Sequence, residues 1–369
     1  MGASVVDVIP SDQYCARATL ATPKGKFTAR VEANTSLDQG ATGWVAALTP
    51  LAMKMRSPIH TNAVVDEDFL TNLIEAQRLL ASWYHDLHPV PVVAPTRRLE
   101  VPAGRGIGSF FSGGVDSFYS ALAPEVTHLV FVHGFDIRID DNELAEKALS
   151  SVRRAAREMG KELIEVRTNI RGFSDRSSHW GYRYHGAAMA HIGHLLAEHL
   201  ETVYFPSSYD DGTLMPWGSH PQLDHLWSSS CVRFVHHGLS ARRVQKIMRL
   251  VDCAPAMEHL RVCWLHPNSV YNCGKCEKCI RTVISLQVAG GAGRCRTLPA
   301  AVPVEEIAKL PITNHGSLVF AEQNLEALRR SGRNDPELEE ALEQCIHRGH
   351  RREARRERLS NLVAPLTRR

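Results

Sequence analysis

The sequence lacks several features that would place it early in a common class of protein. No apolar run approaches the roughly 20 residues of a membrane-spanning helix, so we expect no membrane association. No Gly-x-x-x-x-Gly-Lys-Ser/Thr motif occurs, which excludes the common P-loop. The N-terminus has no basic segment followed by an apolar stretch, so we expect no secretory signal. Because the net charge is only +3, composition does not favour a nucleic-acid partner.

Cysteine usage points to metal chemistry in a reducing compartment. The nine cysteines are an odd number, and four of them lie within 17 residues of one another. Such crowding is typical of a metal site and not of a disulfide scaffold, so we expect a cytoplasmic protein. With 369 residues and 44% hydrophobic residues, the chain can build a substantial core and more than one domain.

The most informative stretch is an apolar run that ends in Ser-Gly-Gly and continues into an acid and a hydroxyl. Residues 107–111 predict a strand, residues 112–114 a tight turn, and residues from 115 onward a helix. Adjacent glycines let the backbone approach a ligand closely, and N–H groups that converge at a helix start favour an anion. The carboxylate of Asp116 suits Mg²⁺. We name residues 112–117 the Ser-Gly-Gly loop. The alternative to a ligand-binding loop is an ordinary Gly-Gly turn in an α/β domain.

The Ser-Gly-Gly loop matches the Ser-Gly-Gly-x-Asp-Ser signature and so resembles the ATP pyrophosphatase (PP-loop) superfamily. The resemblance implies that the loop holds the pyrophosphate end of ATP and that the enzyme transfers AMP. The residues expected to bind ATP are Ser112, Gly113, Gly114, Val115, Asp116 and Ser117.

The chain divides into three predicted parts. Residues 1–100 predict an α+β module, with a hairpin over residues 17–33, a helix from about 68 to 87 and an extended Pro-rich linker at 88–95. Residues 101–295 alternate strands and helices, which predicts a doubly wound parallel sheet of Rossmann-like type with a ligand at the strand ends. The resemblance narrows this to the adenine nucleotide alpha hydrolase type. Residues 296–369 predict a charged helical tail.

Four cysteines form the predicted metal site: Cys263, Cys273, Cys276 and Cys279. Spacings of nine, two and two residues fit a tetrahedral Zn²⁺ held by four thiolates, which leaves no position for water and is therefore structural. A redox Cys-x-x-Cys and an iron–sulfur cluster are the alternatives.

The loop followed by this cysteine set resembles the 7-cyano-7-deazaguanine synthase family of queuosine biosynthesis, over residues 106–290. The resemblance implies a phosphate-binding cation at a helix start, where this chain offers Arg243 in place of lysine. Asp116 and Arg243 are thus the expected catalytic residues. The first hundred residues are extra, and residues 179–181 and 217–220, which lie within the distinctive aromatic segments 177–184 and 215–220, have no recognised counterpart. We therefore expect a different substrate, although these aromatics alternatively pack the N-terminal module onto the sheet.

The expected function is adenylation of a small carboxylate or amide by ATP, followed by capture with a nitrogen nucleophile. No catalytic N-terminal cysteine is visible, so ammonia is free or comes from a partner chain. Candidate general bases are His133, His179, His185, His220 and His266. The alternatives are a sulfur transferase acting on a nucleobase or tRNA, and a nucleotide-binding subunit of a larger assembly, such as a defence complex.

The tail carries acidic residues at 337–343 and arginines from 351 to 369. Because no aromatic residue follows Phe320, stacking on nucleic-acid bases is excluded. Glu353 and Glu357 alternate with the arginines at helical pair spacing. We therefore expect a solvated helix or an oligomer contact, as in a homodimer, and not an RNA-binding tail.

Overall fold

A computed structural model describes residues 2–100, 102–175 and 178–363, with side chains described up to residue 355. The strands are β1 (Ser4–Ile9), β2 (Cys15–Thr22), β3 (Gly25–Ala33), β4 (Ile59–His60), β5 (Val65–Asp66), β6 (Val92–Val93), β7 (Thr96–Arg97), β8 (Gly106–Phe110), β9 (His128–His133), β10 (Glu162–Thr168), β11 (Leu200–Pro206) and β12 (Arg233–His237). The helices are α1 (Thr42–Met55), α2 (Glu67–Trp83), α3 (Val115–Ala121), α4 (Asn142–Glu158), α5 (Arg171–Ser174), α6 (His185–Leu195), α7 (Pro221–Asp224), α8 (Arg243–Leu250), α9 (Ala254–His259), α10 (Glu277–Val288), α11 (Val304–Ala308), α12 (His315–Arg330) and α13 (Pro336–Val363).

A ten-stranded, mostly parallel sheet has the order β12-β11-β8-β9-β10-β3-β2-β1-β4-β6. Strands β12, β11, β8, β9 and β10 are parallel neighbours, whereas β10, β3, β2 and β1 pair antiparallel. The predicted α/β class with a largely parallel sheet is confirmed, and this sheet is compatible with a Rossmann-like fold.

Local signals in the sequence explain several elements. Strands β2 and β3 form the predicted hairpin, with Thr22 paired to Gly25. Helix α2 begins where Asp66 accepts a hydrogen bond from the amide of Phe69, and α4 begins where Asp141 accepts one from the amide of Leu144. Side-chain oxygens that satisfy first-turn amides are the usual reason for helices to start at such residues.

Helix α1 has no counterpart in the sequence predictions. Its first twelve residues are all buried, so the helix has no solvent-exposed face in this part. Its sequence therefore lacks the alternation of apolar and polar residues that marks an amphipathic helix. It also contains Pro50, a residue that normally argues against a helix interior. Helix α1 packs against α6, and Gly43 allows the approach, because a Cβ there would lie 2.8 Å from the carbonyl oxygen of His191.

The chain forms two compact units. Unit 1 contains the described residues up to Ser112 together with Asp116–Leu239, and unit 2 contains Gly113–Val115 with the described residues from Ser240 onward. The boundaries expected near residues 100 and 295 stay predictions; in the structure β1, β2 and β3 extend the same sheet as β8 and β9. Among the described residues, no helix is both long and apolar enough to cross a bilayer.

Candidate nucleotide loop and metal centre

The Ser-Gly-Gly loop follows the carboxyl end of β8, in the middle of the parallel strands. From β8 the chain continues to β9 and β10 on one side, and later to β11 and β12 on the other. The connections therefore diverge in opposite directions at the carboxyl end of β8. In open α/β sheets, this topological switch point is where a crevice forms and where ligands bind.

Gly113 and Asp116 each make a hydrogen bond that positions the loop. Gly113 has a φ of 77°, a left-handed conformation that favours glycine. Its carbonyl oxygen accepts a hydrogen bond of 2.7 Å from the amide of Arg261. Asp116 is half-buried in the first turn of α3, and its Oδ2 accepts a bond of 3.3 Å from the hydroxyl of Ser208, just beyond β11. The loop therefore lies beside the ends of both strands that border the switch point.

The other predicted loop residues differ in exposure. Ser117 and Val115 are buried, whereas Ser112 and Gly114 are partly exposed. An Asp carboxylate, two hydroxyls and glycine amides in one turn provide donors for a phosphate group and an oxygen ligand for a hard cation. That this loop binds a nucleotide, with Asp116 as a Mg²⁺ ligand, stays a prediction.

Arg243, the expected phosphate-binding cation, is the first residue of α8. It is buried, and its guanidinium carbon lies 5.6 Å from the ring centroid of Phe320 on α12. Arg281 lies 4.1 Å from the same ring and is ion-paired with Glu277 at 3.3 Å. A cation over an aromatic face is attracted by the ring's quadrupole. The role of Arg243 toward a nucleotide stays a prediction.

The four predicted cysteines converge, and we name them the cysteine cluster: Cys263, Cys273, Cys276 and Cys279. All four Sγ atoms lie within 4.8 Å of one another. Two Sγ–Sγ distances, from Cys273 to Cys279 and from Cys263 to Cys276, are 3.9 Å. Zinc–sulfur bonds of about 2.3 Å in a tetrahedron place ligand sulfurs roughly 3.8 Å apart. The cysteine cluster can therefore hold a metal ion such as zinc.

The local backbone explains this convergence. Gly274 has a φ of 70°, which turns the chain between Cys273 and Cys276. The amide of Cys276 then donates a bond of 3.2 Å to the sulfur of Cys273. Cys276 precedes α10 and Cys279 lies in its first turn, where the helix dipole favours negative charge.

The electrostatics of the cysteine cluster favour a bound cation. Hydrogen bonding to Cys279 lowers the pKa of Cys276 to about 4, and the same contact raises the pKa of Cys279. Burial raises the pKa of Cys273. One thiolate therefore suppresses ionisation of its neighbours, since like charges at this spacing repel. A dication at the centre would allow all four sulfurs to ionise.

Asn272 supports the cysteine cluster, and sequence reasoning missed it. Its Oδ1 accepts bonds from the amides of Val262 and Cys263, at 2.9 and 3.0 Å. Its Nδ2 donates to the carbonyl oxygens of Leu260 and Thr297, at 2.9 and 3.2 Å. One side chain therefore fixes the segment that carries the first cysteine. Only its position beside Cys273 could have suggested this role.

The two aromatic segments flagged in the sequence meet in the structure. The ring centroids of Tyr182 and Trp217 are 4.6 Å apart, and the amide of Gly218 donates a bond of 3.0 Å to the carbonyl oxygen of Gly181. Tyr182 and Trp217 are half-buried, and the neighbouring ring of His179 is exposed. Ser177, the first residue of the predicted segment, lies outside the described residues.

Other members of these segments contact the end of α2. Arg183 is ion-paired with Asp86 at 2.5 Å, and its guanidinium carbon lies 4.9 Å from the ring centroid of Tyr84. His220 packs edge-on against Trp83. Arg183 and His220 therefore fit the packing alternative, while Tyr182 and Trp217 retain surface for a ligand.

Asp224 on α7 and His236 on β12 form a buried Asp–His pair. Asp224 is fully buried, and its Oδ2 lies 2.7 Å from both Nδ1 of His236 and the hydroxyl of Ser219. The sequence offered no signal for this pair. Among the predicted bases, Nε2 of His133 donates to the carbonyl oxygen of Arg138 at 2.9 Å, and burial lowers the pKa of His133.

No protein-family model, curated protein or solved structure matches the chain.

Proposed function

We propose that the protein is an ATP-dependent adenylating enzyme that resembles 7-cyano-7-deazaguanine synthase and acts on a different small carboxylate or amide. One observation carries this proposal: the Ser-Gly-Gly loop follows β8 at the topological switch point of the parallel strands. Sequence motif and strand order are independent properties, and both favour a nucleotide at this edge.

The chemistry assigned to the loop is positioning and charge stabilisation. An oxygen of the substrate attacks the α-phosphorus of ATP, forms an adenylate and displaces pyrophosphate. Asp116 would hold Mg²⁺, which neutralises charge on the leaving pyrophosphate. Hydroxyls of Ser112 and Ser117, with amides of the loop, donate to the phosphates. A nitrogen nucleophile then attacks the adenylated carbon and expels AMP.

The cysteine cluster has a structural role in this proposal. Four thiolates would complete the coordination of Zn²⁺, so no position on the metal would remain for water or substrate. The residues of the cluster would instead hold the segment 259–263 in place through Asn272.

The substrate is proposed to differ from 7-carboxy-7-deazaguanine. Tyr182 and Trp217 provide half-buried ring surface at the strand ends, which suits a planar ligand by stacking. With ATP, ammonia and 7-carboxy-7-deazaguanine, we expect nitrile formation far below about one per second, a typical enzyme rate. Nitrile formation at that rate would contradict this part of the proposal and leave the adenylation chemistry intact.

The test of adenylation is a screen of carboxylates and amides with ATP, magnesium and ammonia, read by pyrophosphate release. We expect AMP and pyrophosphate with the true substrate, and loss of turnover in Asp116→Asn with the fold unchanged. The matched control is Asp140→Asn, an exposed aspartate paired with Arg138. ADP with inorganic phosphate as the only products would contradict the proposal. Purified protein with iron and acid-labile sulfide would favour the sulfur transferase instead.

A further inference from the structure

Segment 259–261 runs directly beside the glycine turn of the Ser-Gly-Gly loop. The amide of Arg261 donates the 2.7 Å bond to the carbonyl oxygen of Gly113. A Cβ added at Gly113 would lie 3.6 Å from the Cβ of Arg261 and 3.8 Å from the carbonyl oxygen of His259. The Cβ of Arg261 therefore lies beside the position that a side chain at Gly113 would occupy, and all of these residues belong to unit 2.

Hydrogen bonds on both sides of Arg261 fix its backbone. The hydroxyl of Tyr271 donates a bond of 2.7 Å to the carbonyl oxygen of His259. Asn272 holds Leu260 through its carbonyl oxygen and Val262 through its amide. Arg261 is thus a rigidly mounted residue, and its contact with Gly113 uses only backbone atoms. A substitution of the Arg261 side chain leaves that contact available.

The side chain of Arg261 has the properties of a phosphate ligand. Only 5% of the residue is exposed, so its charge acts in a medium of low dielectric. A guanidinium is permanently charged and offers five donors in a planar fork that matches phosphate oxygens. Its Nη1 lies 3.3 Å from Nε2 of His266, which helps to orient the fork.

We propose that Arg261 is a nucleotide-binding residue that donates to the phosphates of ATP at the Gly113 turn. This inference rests on the proposed function, because it needs ATP at the Ser-Gly-Gly loop. It also adds a cation that the resemblance does not supply. The guanidinium of Arg243, the residue that the resemblance implies, lies over the ring of Phe320, whereas the backbone amide of Arg261 is hydrogen-bonded to the loop.

The experiment measures equilibrium binding of ATP, inorganic pyrophosphate and adenosine to the full-length protein by calorimetry. For Arg261→Ala we expect at least tenfold weaker binding of ATP and pyrophosphate, with the affinity for adenosine unchanged. Arg261→Lys should lose less affinity than Arg261→Ala, because lysine keeps the positive charge. It should still bind more weakly than the wild type, because its ammonium lacks the planar fork of donors. The control is Arg296→Ala, an exposed arginine of the same unit that pairs with Glu258. Metal content and circular dichroism report whether each variant folds.

Each contrary result has a separate meaning. Equal ATP affinity in wild type and Arg261→Ala would overturn the role of Arg261 and leave the proposed function standing. Equal losses for ATP and adenosine would show that Arg261 only supports the structure, which also overturns the inference. If Arg261→Ala fails to fold, Arg261→Lys and Arg261→Gln decide, and unchanged pyrophosphate affinity in both would overturn it. Absence of ATP and pyrophosphate binding in the wild type would overturn both proposals.

Discussion

Units 1 and 2 bury polar and ionisable groups in different ways. Unit 1 encloses a large hydrophobic cluster drawn entirely from its own residues. Its buried carboxylates are saturated by hydrogen bonds: Asp66 accepts from the amides of Phe69, Leu99 and Ser230. Unit 2 gathers four cysteine sulfurs within 4.8 Å, an arrangement that needs a cation before all can ionise. Unit 2 also buries apolar side chains, such as Ile247, Val283 and Leu318. We infer that unit 1 is held by apolar burial, whereas unit 2 needs a metal ion at the cysteine cluster in addition.

The largest expected effect follows from the removal of a cysteine of the cluster. We expect Cys276→Ser to unfold unit 2 or make the protein insoluble, because structural zinc contributes roughly 10–16 kcal/mol to small zinc domains. Hydrogen exchange read by mass spectrometry should show loss of protection in residues 240–355 and little change in residues 4–110. The control is Cys295→Ser, a buried cysteine of unit 2 outside the cluster. Equal loss of protection in both units would contradict the comparison.

Elemental analysis of the purified wild-type protein provides the companion measurement. We expect about one zinc ion per chain, as four-thiolate sites of this kind hold a single ion. Chelation should reproduce the exchange pattern of Cys276→Ser. A protein that lacks metal as purified, yet keeps unit 2 protected, would show that apolar burial also suffices there.

The next largest effect is the dependence of the stability of unit 1 on pH. Burial lowers the pKa of His191 to about 3 and that of His194 to about 4. An unfolded histidine titrates near 6.5, so below that pH the unfolded state binds more protons than the folded state. Stability should therefore be level above about pH 7 and fall by roughly 1.4 kcal/mol per pH unit for each histidine between about 6 and 4.

The free energy of unfolding of unit 1 in urea, monitored by hydrogen exchange at pH 7, 6 and 5, measures this dependence. His191→Gln should remove about one histidine's share of the slope. The control is His60→Gln, a histidine substitution at an exposed position of β4. A slope that is the same in His191→Gln and the wild type would contradict the assignment. His194 is further fixed by a bond of 2.9 Å from its Nε2 to the carbonyl oxygen of Trp227.

A smaller effect tests how the backbone holds the cysteine cluster. Asn272→Ala removes four hydrogen bonds around Cys263 and should cost roughly 2–4 kcal/mol, since each lost partner of a buried group costs about 1–3 kcal/mol. Metal affinity should fall about 10- to 100-fold, as for other outer-shell changes. Asn169→Ala is the matched control, because Asn169 likewise bridges the amide of Arg30 and the carbonyl of Thr28. It should lower stability without a change in metal affinity.

The sequence predicted those parts of the molecule that local chemistry determines. The helix predicted from about residue 68 and found as α2, the β2–β3 hairpin and the convergence of the cysteine cluster each follow from residues close together in the chain. Helix α1 could not be predicted, because burial on all sides removes periodicity and Pro50 interrupts the local propensity. The antiparallel pairing of β3 with β10 joins residues more than a hundred positions apart. No local signal encodes such a pairing.

The candidate sites also divide into residues that local motifs predict and residues that only tertiary packing brings together. Motif spacing predicted the convergence of the four cysteines, which is confirmed, and a role for Asp116, which stays a prediction. The contacts of Arg261, of Asn272 and of the pair of Asp224 with His236 have no signal in the sequence. Their contacts come from tertiary packing, such as the approach of segment 259–261 to Gly113. The resemblance predicts a phosphate-binding role for Arg243, and a measurement of nucleotide binding tests that role.

The smallest expected change in stability concerns the Ser-Gly-Gly loop, and it separates function from folding. At Gly113 a Cβ has ordinary contacts, none closer than 3.6 Å, so alanine would cost only the left-handed backbone strain of about 1–2 kcal/mol. Relief of that strain would turn the peptide away from Arg261, and we expect at least tenfold weaker ATP binding. Gly332→Ala is the control, because Gly332 has a φ of 72° and open space around its Cβ position, also in unit 2. It should show the same loss in thermal unfolding and an unchanged affinity for ATP. If both variants bind ATP as the wild type does, the left-handed turn at Gly113 serves the fold alone.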